Sequence, residues 1–288
     1  MNLRGAKPIN DKRTRNYIES LHCTPDLYNE SAHSQFIDSF FEWINSSKLN
    51  DLRGLEEFTN RKIISGTIQA FDHFYLRHFS RRFRFFRGEF MYHSACLKKS
   101  IDWRWLDDRT VAENDAVIVS IPFSDWGCQR EIYDILEQCE SKRVPVLLDF
   151  AYYPCTKNID FDLRKFNCIE TLAFSISKAF YGAEFLRVGM RLERVDRDDA
   201  IDIFNSVDMI NRLGISIASQ LIEQYSVDYN WQKYGAVYND VCENLSLQTT
   251  DCIMFGAGGD EYKEYNRGSA VNRVCVSEAI GEYTNDRS

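Results

Sequence analysis

The sequence contains no run of apolar residues approaching the ~20 that a membrane-spanning helix requires. Its opening, MNLRGAKPINDKRTRN, lacks the apolar core of a secretory signal. No Cys-x-x-Cys pair occurs among the nine cysteines, Cys23, Cys96, Cys128, Cys139, Cys155, Cys168, Cys242, Cys252 and Cys275. Odd in number, scattered and mostly beside apolar residues, they read as buried thiols of a reducing compartment and exclude a disulfide frame. The histidines (His22, His33, His73, His78, His93) have no metal-ligand spacing, so no metal site is expected. Positive charge is in deficit: the formal net charge of −8 argues against nucleic acid or an anionic membrane as the main partner. The expectation is a soluble, cytoplasmic protein.

What is present fits a globular α/β chain. Apolar residues make up 44% and charged residues 27%, ordinary for a packed domain, and 288 residues suffice for one large α/β unit plus an annex. Residues 1–16 are polar and basic and read as a loose arm. Ile37, Phe40, Phe41 and Ile44 mark one face of a helix over 34–46. A second helix opens at Ser65-Gly66-Thr67. From residue 83 short apolar runs alternate with helical ones. The runs 83–86, 116–121, 144–150, 171–176 and 186–192 read as strands. A helix through Ile132, Ile135, Leu136 and Cys139 lies between two of them, with Ser124 or Asp125 as its cap. Such alternation implies a mainly parallel sheet, and the continuous apolar character of 116–121 and 144–150 implies burial on both faces. The basic aromatic stretch RHFSRRFRFFR reads as a helix end and a buried strand with arginines at its rim, in preference to a platform for single-stranded nucleic acid. After residue 195 helical periodicity returns, and the runs 252–255 and 271–276 flank a glycine-rich turn at 256–259. The organisation is thus an α/β block over 50–195, with 1–49 and 196–288 forming a helical start and a reduced α+β unit.

Four features of the block suggest one site. Ser65-Gly66-Thr67 lies at a helix start, where a glycine and free N–H groups admit an anion, although the same tripeptide is also an ordinary cap. Asp149 ends the most apolar strand, where open α/β sheets bind ligands. Its desolvation calls for a partner, a cap or a salt bridge at the least and a protonated ring nitrogen at the most specific. Tyr152 follows by three residues. Lys178 comes just after a buried run, a place where a lysine is either solvated in a loop or desolvated and nucleophilic toward aldehydes. Arg187, nine residues on, suits a surface ion pair or a phosphate clamp.

The order Ser65-Gly66-Thr67, Asp149-Phe150-Ala151-Tyr152, Ser175-Ile176-Ser177-Lys178, Arg187-Val188-Gly189 resembles the fold-type-I pyridoxal 5′-phosphate (PLP) enzymes, most closely the class I/II aminotransferases. The resemblance covers roughly residues 60–195. It implies a sheet sandwiched by helices with PLP as a Schiff base on Lys178, which also shuttles a proton at the substrate Cα. Asp149 would keep the ring nitrogen protonated. Tyr152 would bond the phenolic oxygen, and Ser65, Gly66, Thr67, Ser175 and Arg187 would surround the phosphate. Phe90, or Tyr92, would stack on the ring. Arg273, with Arg267 as rival, would grip the substrate carboxylate. Amino acid and keto acid substrates are implied, and a homodimer whose sites share residues between subunits.

The chain departs from the family in three places. Ser124 stands where an asparagine normally serves the ring's phenolic oxygen, and Asp125 adds a charge beside it. Arg187 lies one residue further from the lysine than usual, so the loop between them must bulge. The C-terminal part is short. These departures keep two other readings beside transamination: another PLP reaction at Cα (decarboxylase, racemase, lyase or oxidase) and a catalytically silent binding subunit.

Overall fold

The computed structural model describes residues 3–22, 25–98 and 101–285; Cys23 lies outside them. The strands are β1 Asp51–Arg53, β2 Asn60–Ile64, β3 Arg82–Phe85, β4 Trp103–Trp105, β5 Asp115–Ser120, β6 Val146–Phe150, β7 Asp160–Asp162, β8 Ile169–Ser175, β9 Gly189–Glu193, β10 Gln248–Thr249, β11 Phe255–Gly258 and β12 Asn272–Cys275. The helices are α1 Lys12–Ser20, α2 Ala32–Asn45, α3 Thr67–Arg77, α4 Tyr92–Leu97, α5 Tyr133–Lys142, α6 Ala183–Leu186, α7 Ala200–Ser206, α8 Arg212–Gln224, α9 Tyr229–Asn244 and α10 Ser277–Asn285. Among the described residues, no helix is long and apolar enough to cross a membrane.

Seven strands form the central sheet in the order β2-β9-β8-β6-β5-β3-β4. From β8 to β4 all pairings are parallel, while β9 runs antiparallel to both β8 and β2. The parallel strands are buried on both faces because alternate side chains enter two cores. Val117, Val119, Val146, Leu148, Leu172 and Phe174 pack with Phe36 and Phe40 of α2 and Leu221 of α8. Ala116, Ile118, Leu147 and Ala173 face Phe71 and Phe74 of α3. Thus α2 and α8, which lie outside 50–195 in the sequence, complete the core of the large sheet. A third core joins β11, β12, α9 and α10 through Tyr234, Tyr238, Phe255, Val274 and Ile280, with Ile9 among them.

Several sequence expectations are corrected. The start of the chain is not a loose arm: the Leu3 carbonyl accepts from the Cys275 N–H at 2.9 Å, Ile9 is buried, and buried Asp11 caps α1. Main-chain hydrogen bonds and one apolar anchor hold it, and side-chain polarity does not register these. The glycine-rich stretch 256–259 is mostly strand, since Leu247 and Tyr262 cover Gly256 and Gly258 so closely that no Cβ would fit. The run 186–192 becomes strand only at Gly189, after the single turn α6. Neither Ser124 nor Asp125 caps α5: the Ser124 hydroxyl donates to the Gly88 carbonyl at 2.9 Å, and Asp125 is packed against Gly88.

The basic stretch also differs from its reading. Arg84 is not at a rim but 1% exposed, and it donates at 2.7 Å to the fully buried Asp115 at the head of β5, which Arg82 also reaches at 2.6 Å. Further Arg84 donors go to the Trp105 and Arg109 carbonyls, so one guanidinium ties β3, β4 and β5 together. Removing the carboxylate leaves a buried cation unpaired. Asp115→Ala is therefore expected to lower the unfolding free energy by about 3–5 kcal/mol, read from the denaturation midpoint.

Candidate active site

The site lies at the edge of the sheet where the parallel strands end, and the strand register explains why four distant segments meet there. Gly189 opens β9 opposite both Ile64, the last residue of β2, and Ser175, the last of β8. This brings Ser65-Gly66-Thr67, the Ser175–Lys178 segment and Arg187 together. A side chain at position 189 would lie 2.3 Å from the Phe174 carbonyl oxygen, so the approach requires glycine. In the next strands Asp149 of β6 pairs with Ser120 of β5 and Ala173 of β8, which puts its carboxylate beside the same edge.

A cavity of about 200 Å³ results. Gly66 and Thr67 line it where α3 begins and main-chain N–H groups have no partner within the helix. Gly66 has φ +82°, and a Cβ there would come within 2.7 Å of the Arg187 guanidinium. Arg187 donates to the Ser65 carbonyl at 3.0 Å and lines the same wall. Ser175 adds a hydroxyl held by Ser177 and Val188. Anion donors therefore collect at one end. At the other, Asp149 accepts a single hydrogen bond among the described residues, from the Ala151 N–H at 3.0 Å. Burial pushes its pKa up to about 8, and the neighbouring Glu89 carboxylate adds to the rise. Glu89 is buried too, both its oxygens engaged by the N–H and hydroxyl of Ser120, and burial raises its pKa to about 6. Lys178 projects between these ends. Burial lowers its pKa, and its ammonium donates to the Ala6 carbonyl at 2.5 Å.

Phe90 and Tyr152 line this cavity and also a second one of about 310 Å³, which contains Arg267 and Arg273. Two expected residues are elsewhere. The Ser65 side chain is exposed, and only its carbonyl touches the site, through Arg187. Ser124 is buried behind the cavities, and its carbonyl accepts from both Arg267 and Arg273. Tyr92 is no alternative to Phe90: its hydroxyl donates to Asp72 at 2.7 Å, away from the cavity lining. Sequence reasoning missed Ala6, Ile68, Ala151 and Ser177 in the lining, and Glu89 behind it. Ser177, inside Ser175–Lys178, and Ala151, inside Asp149–Tyr152, each carried a local signal. Ala6 arrives through main-chain contacts of a segment without periodicity.

The arrangement fits a ligand with an anionic group at one end, a basic ring nitrogen at the other and a carbonyl within reach of an amine. Asp149 is the decisive element, since a buried carboxylate with one hydrogen bond and, among the described residues, no cation within 4.0 Å is stabilised by a cationic nitrogen. Among the described residues no group of His, Cys, Asp and Glu is placed to hold a metal ion.

No protein-family model and no curated protein sequence matches the chain. Solved structures do. Histidinol-phosphate aminotransferase from Clostridium acetobutylicum superposes with a TM-score of 0.63 at 12% identity, covering 100% of this chain and 97% of that one. Tyrosine aminotransferase from Leishmania infantum gives 0.61 at 13%, covering 100% and 94%. A PLP-bound C-S lyase from Staphylococcus hominis, complexed with L-cycloserine, gives 0.68 at 10%, covering 98% and 85%. The chain has the fold these enzymes share.

An acid whose folded-state pKa stands above its unfolded value stabilises the fold fully at low pH, and that contribution is lost as pH rises through the folded value. For Asp149 the window runs from the ordinary aspartate value of 3.8 up to about 8. In cofactor-free protein, Asp149→Asn should melt higher than wild type, with a difference that grows from about pH 5 to about pH 8. A difference that shrinks over this range would show the carboxylate to be ionised and paired.

Proposed function

We propose that the chain is a PLP-dependent aminotransferase acting on an amino acid or a related small amine, with Lys178 as the residue that carries the cofactor. One observation supports this above the others: a desolvated lysine and a buried, nearly unpartnered aspartate share a cavity whose far end collects anion donors. The shared fold is consistent with it. When bound, PLP supplies an aldehyde that condenses with amines and a ring that accepts the electron pair released at Cα.

The protein's own groups divide the remaining work. Gly66, Thr67, Ser175 and Arg187 would bind the phosphate, by helix N-terminal amides, a hydroxyl and a guanidinium. Asp149 would hold a proton on the ring nitrogen, its own charge being stabilised in return. Phe90 would cover a face of the ring and Tyr152 would donate to its phenolic oxygen, without the asparagine that Ser124 replaces. Lys178, its pKa lowered by desolvation, would take a proton from the substrate Cα and return it one atom away. Arg273 would orient the substrate carboxylate, so that the bond to be broken is fixed by position and not by collision.

Because the fold also houses a C-S lyase, the products separate the readings. A keto acid together with aminated cofactor supports transamination, while ammonia with a released thiol supports lyase chemistry. Purified protein with added PLP should show a visible absorption band that borohydride bleaches and that Lys178→Ala lacks. A folded wild type without such a band would remove the cofactor reading and leave a silent binding subunit in its place.

We further propose a cytoplasmic homodimer. The described cysteines are all free, as in a reducing compartment. Phe185, Phe204, Val207, Met209 and Leu213 are exposed apolar residues grouped from α6 to the start of α8, beside Arg187, and a second copy would cover them. Light scattering should give the dimer mass for wild type, and Leu213→Glu should shift the protein toward monomer.

A further inference from the structure

We propose that Glu89 is a positioning residue of the site: a second carboxylate, acting through Asp149, that keeps one proton at the Asp149 end of the cavity, where a bound ring nitrogen would share it. This rests on the reading of the Lys178 cavity as the cofactor site. Burying a carboxylate is costly, and none of the roles assigned to the other residues accounts for this one.

Glu89 lies between β3 and α4 and is 4% exposed. Its carboxylate accepts from the Ser120 N–H at 2.9 Å and from the Ser120 hydroxyl at 2.6 Å. Ser120 ends β5, and its partner in the parallel ladder is Asp149 of β6. Residues paired in this way project to the same face of a sheet, on strands about 4.8 Å apart. They continue the rows of Ala116, Ile118 and Leu147, which face α3. The two carboxylates therefore stand in one buried corner at the end of the sheet. The corner is fixed from several sides. The Ser120 hydroxyl oxygen also accepts from the Ser124 N–H at 2.9 Å, and the Glu89 carbonyl accepts from Arg267 at 3.0 Å. Glu89 directly precedes Phe90, which lines the cavity.

Little in the surroundings cancels the charge of the two acids. Among the described residues neither has a cation within 4.0 Å. Arg267 donates to the main chain of Glu89 and faces Asp125 at 3.8 Å. The Lys178 ammonium is engaged by the Ala6 carbonyl. On the α3 side, Tyr75 shares a 2.5 Å hydrogen bond with Nδ1 of His93 on α4. Burial raises the Tyr75 pKa and lowers that of His93 to about 3, so both are neutral. Two carboxylates in such a corner do not both ionise near neutral pH. Glu89 ionises first, because Ser120 gives it two donors whereas Asp149 has one among the described residues. Burial raises the Glu89 pKa to about 6, while burial and then the Glu89 charge raise that of Asp149 to about 8. Between these values Glu89 is charged and Asp149 carries the proton. A ring nitrogen that enters then meets a proton already in place and takes none from water. Without the Glu89 charge, Asp149 would ionise at lower pH and that proton would be lost sooner.

The test separates charge from packing, first without any ligand. Wild type, Glu89→Gln and Glu89→Asp are melted between about pH 5 and about pH 9, each with and without Asp149→Asn. The gain from Asp149→Asn should level off near about pH 8 in wild type and about one pH unit lower in Glu89→Gln, a tenfold change in proton affinity. Glu89→Asp, which keeps the charge, should restore most of the wild-type value. Glu89→Met, apolar and of similar length, repeats the Gln comparison should the amide disturb the fold. Pyridoxine 5′-phosphate, which has the ring nitrogen and the phosphate but no aldehyde, is then titrated calorimetrically. Glu89→Gln should weaken its binding on the order of fivefold near about pH 8.5 and leave it unchanged near about pH 6. A levelling pH that Glu89→Gln leaves in place, or that the Gln and Asp variants move equally, overturns the proposal, since Glu89 would then only pack against Ser120. Binding weakened equally at both pH values overturns the assignment to the ring nitrogen. With PLP added, the borohydride-sensitive band is recorded on each protein. A missing band with the shifted levelling and the pH-dependent binding intact defeats the Lys178 reading alone; the band without the shift defeats this proposal alone.

Discussion

The structure depends most on one close approach, that of Gly189 to the strands on either side of it. Because β9 runs against both β2 and β8, its first residue sits at the ends of both neighbours. The Ser65-Gly66-Thr67 turn, the lysine segment and Arg187 are then gathered by backbone pairing before any side chain contributes. A Cβ at this position would push against the Phe174 carbonyl and open the edge. The parallel strands then add Asp149 one strand beyond β8. Their burial on both faces makes the register costly to shift, because a one-residue slip would exchange the contents of the two cores.

With the edge held by backbone, the site's chemistry comes from desolvation. Lys178 loses proton affinity through burial, while Asp149 and Glu89 gain it, opposing shifts that a ligand with a basic nitrogen would relieve. The first residues of the chain take part in this balance. Successive carbonyls of Gly5 and Ala6 accept from Arg273 and Lys178. These residues therefore meet the large sheet's lysine and the small sheet's arginine at once, and link the two units across the site.

Much of the architecture was legible beforehand, for identifiable reasons. The apolar runs of β5 and β6 announce strands buried twice, and of the face read for α2, Phe40 and Ile44 are buried and Ile37 and Phe41 half-buried, with Phe36 and Trp43 completing the buried side. The site residues with a motif around them, from Gly66 to Arg187, line one cavity. What escaped has no local signature. Arg84 looks like a surface charge until Asp115 is known to face it, and Glu89 looks like an ordinary loop acid until Ser120 takes both its oxygens. Gly256 and Gly258 read as a turn because the residues that cover them, Leu247 and Tyr262, belong to other segments.

By itself, then, the sequence determined the long apolar strands and the periodic helices, though not α1 or the glycine-rich strand β11, and which residues are chemically equipped, because periodicity and residue type act over a few neighbours. Only the tertiary structure decided which charges are buried, that Ser124 serves both arginines through its carbonyl and not a cavity through its hydroxyl, and that Arg267 and Arg273 share a wall. Those outcomes depend on partners 31 to 149 residues away along the chain, and burial, which sets the strength of every charge in the site, is a property of the packed whole and not of any stretch of chain.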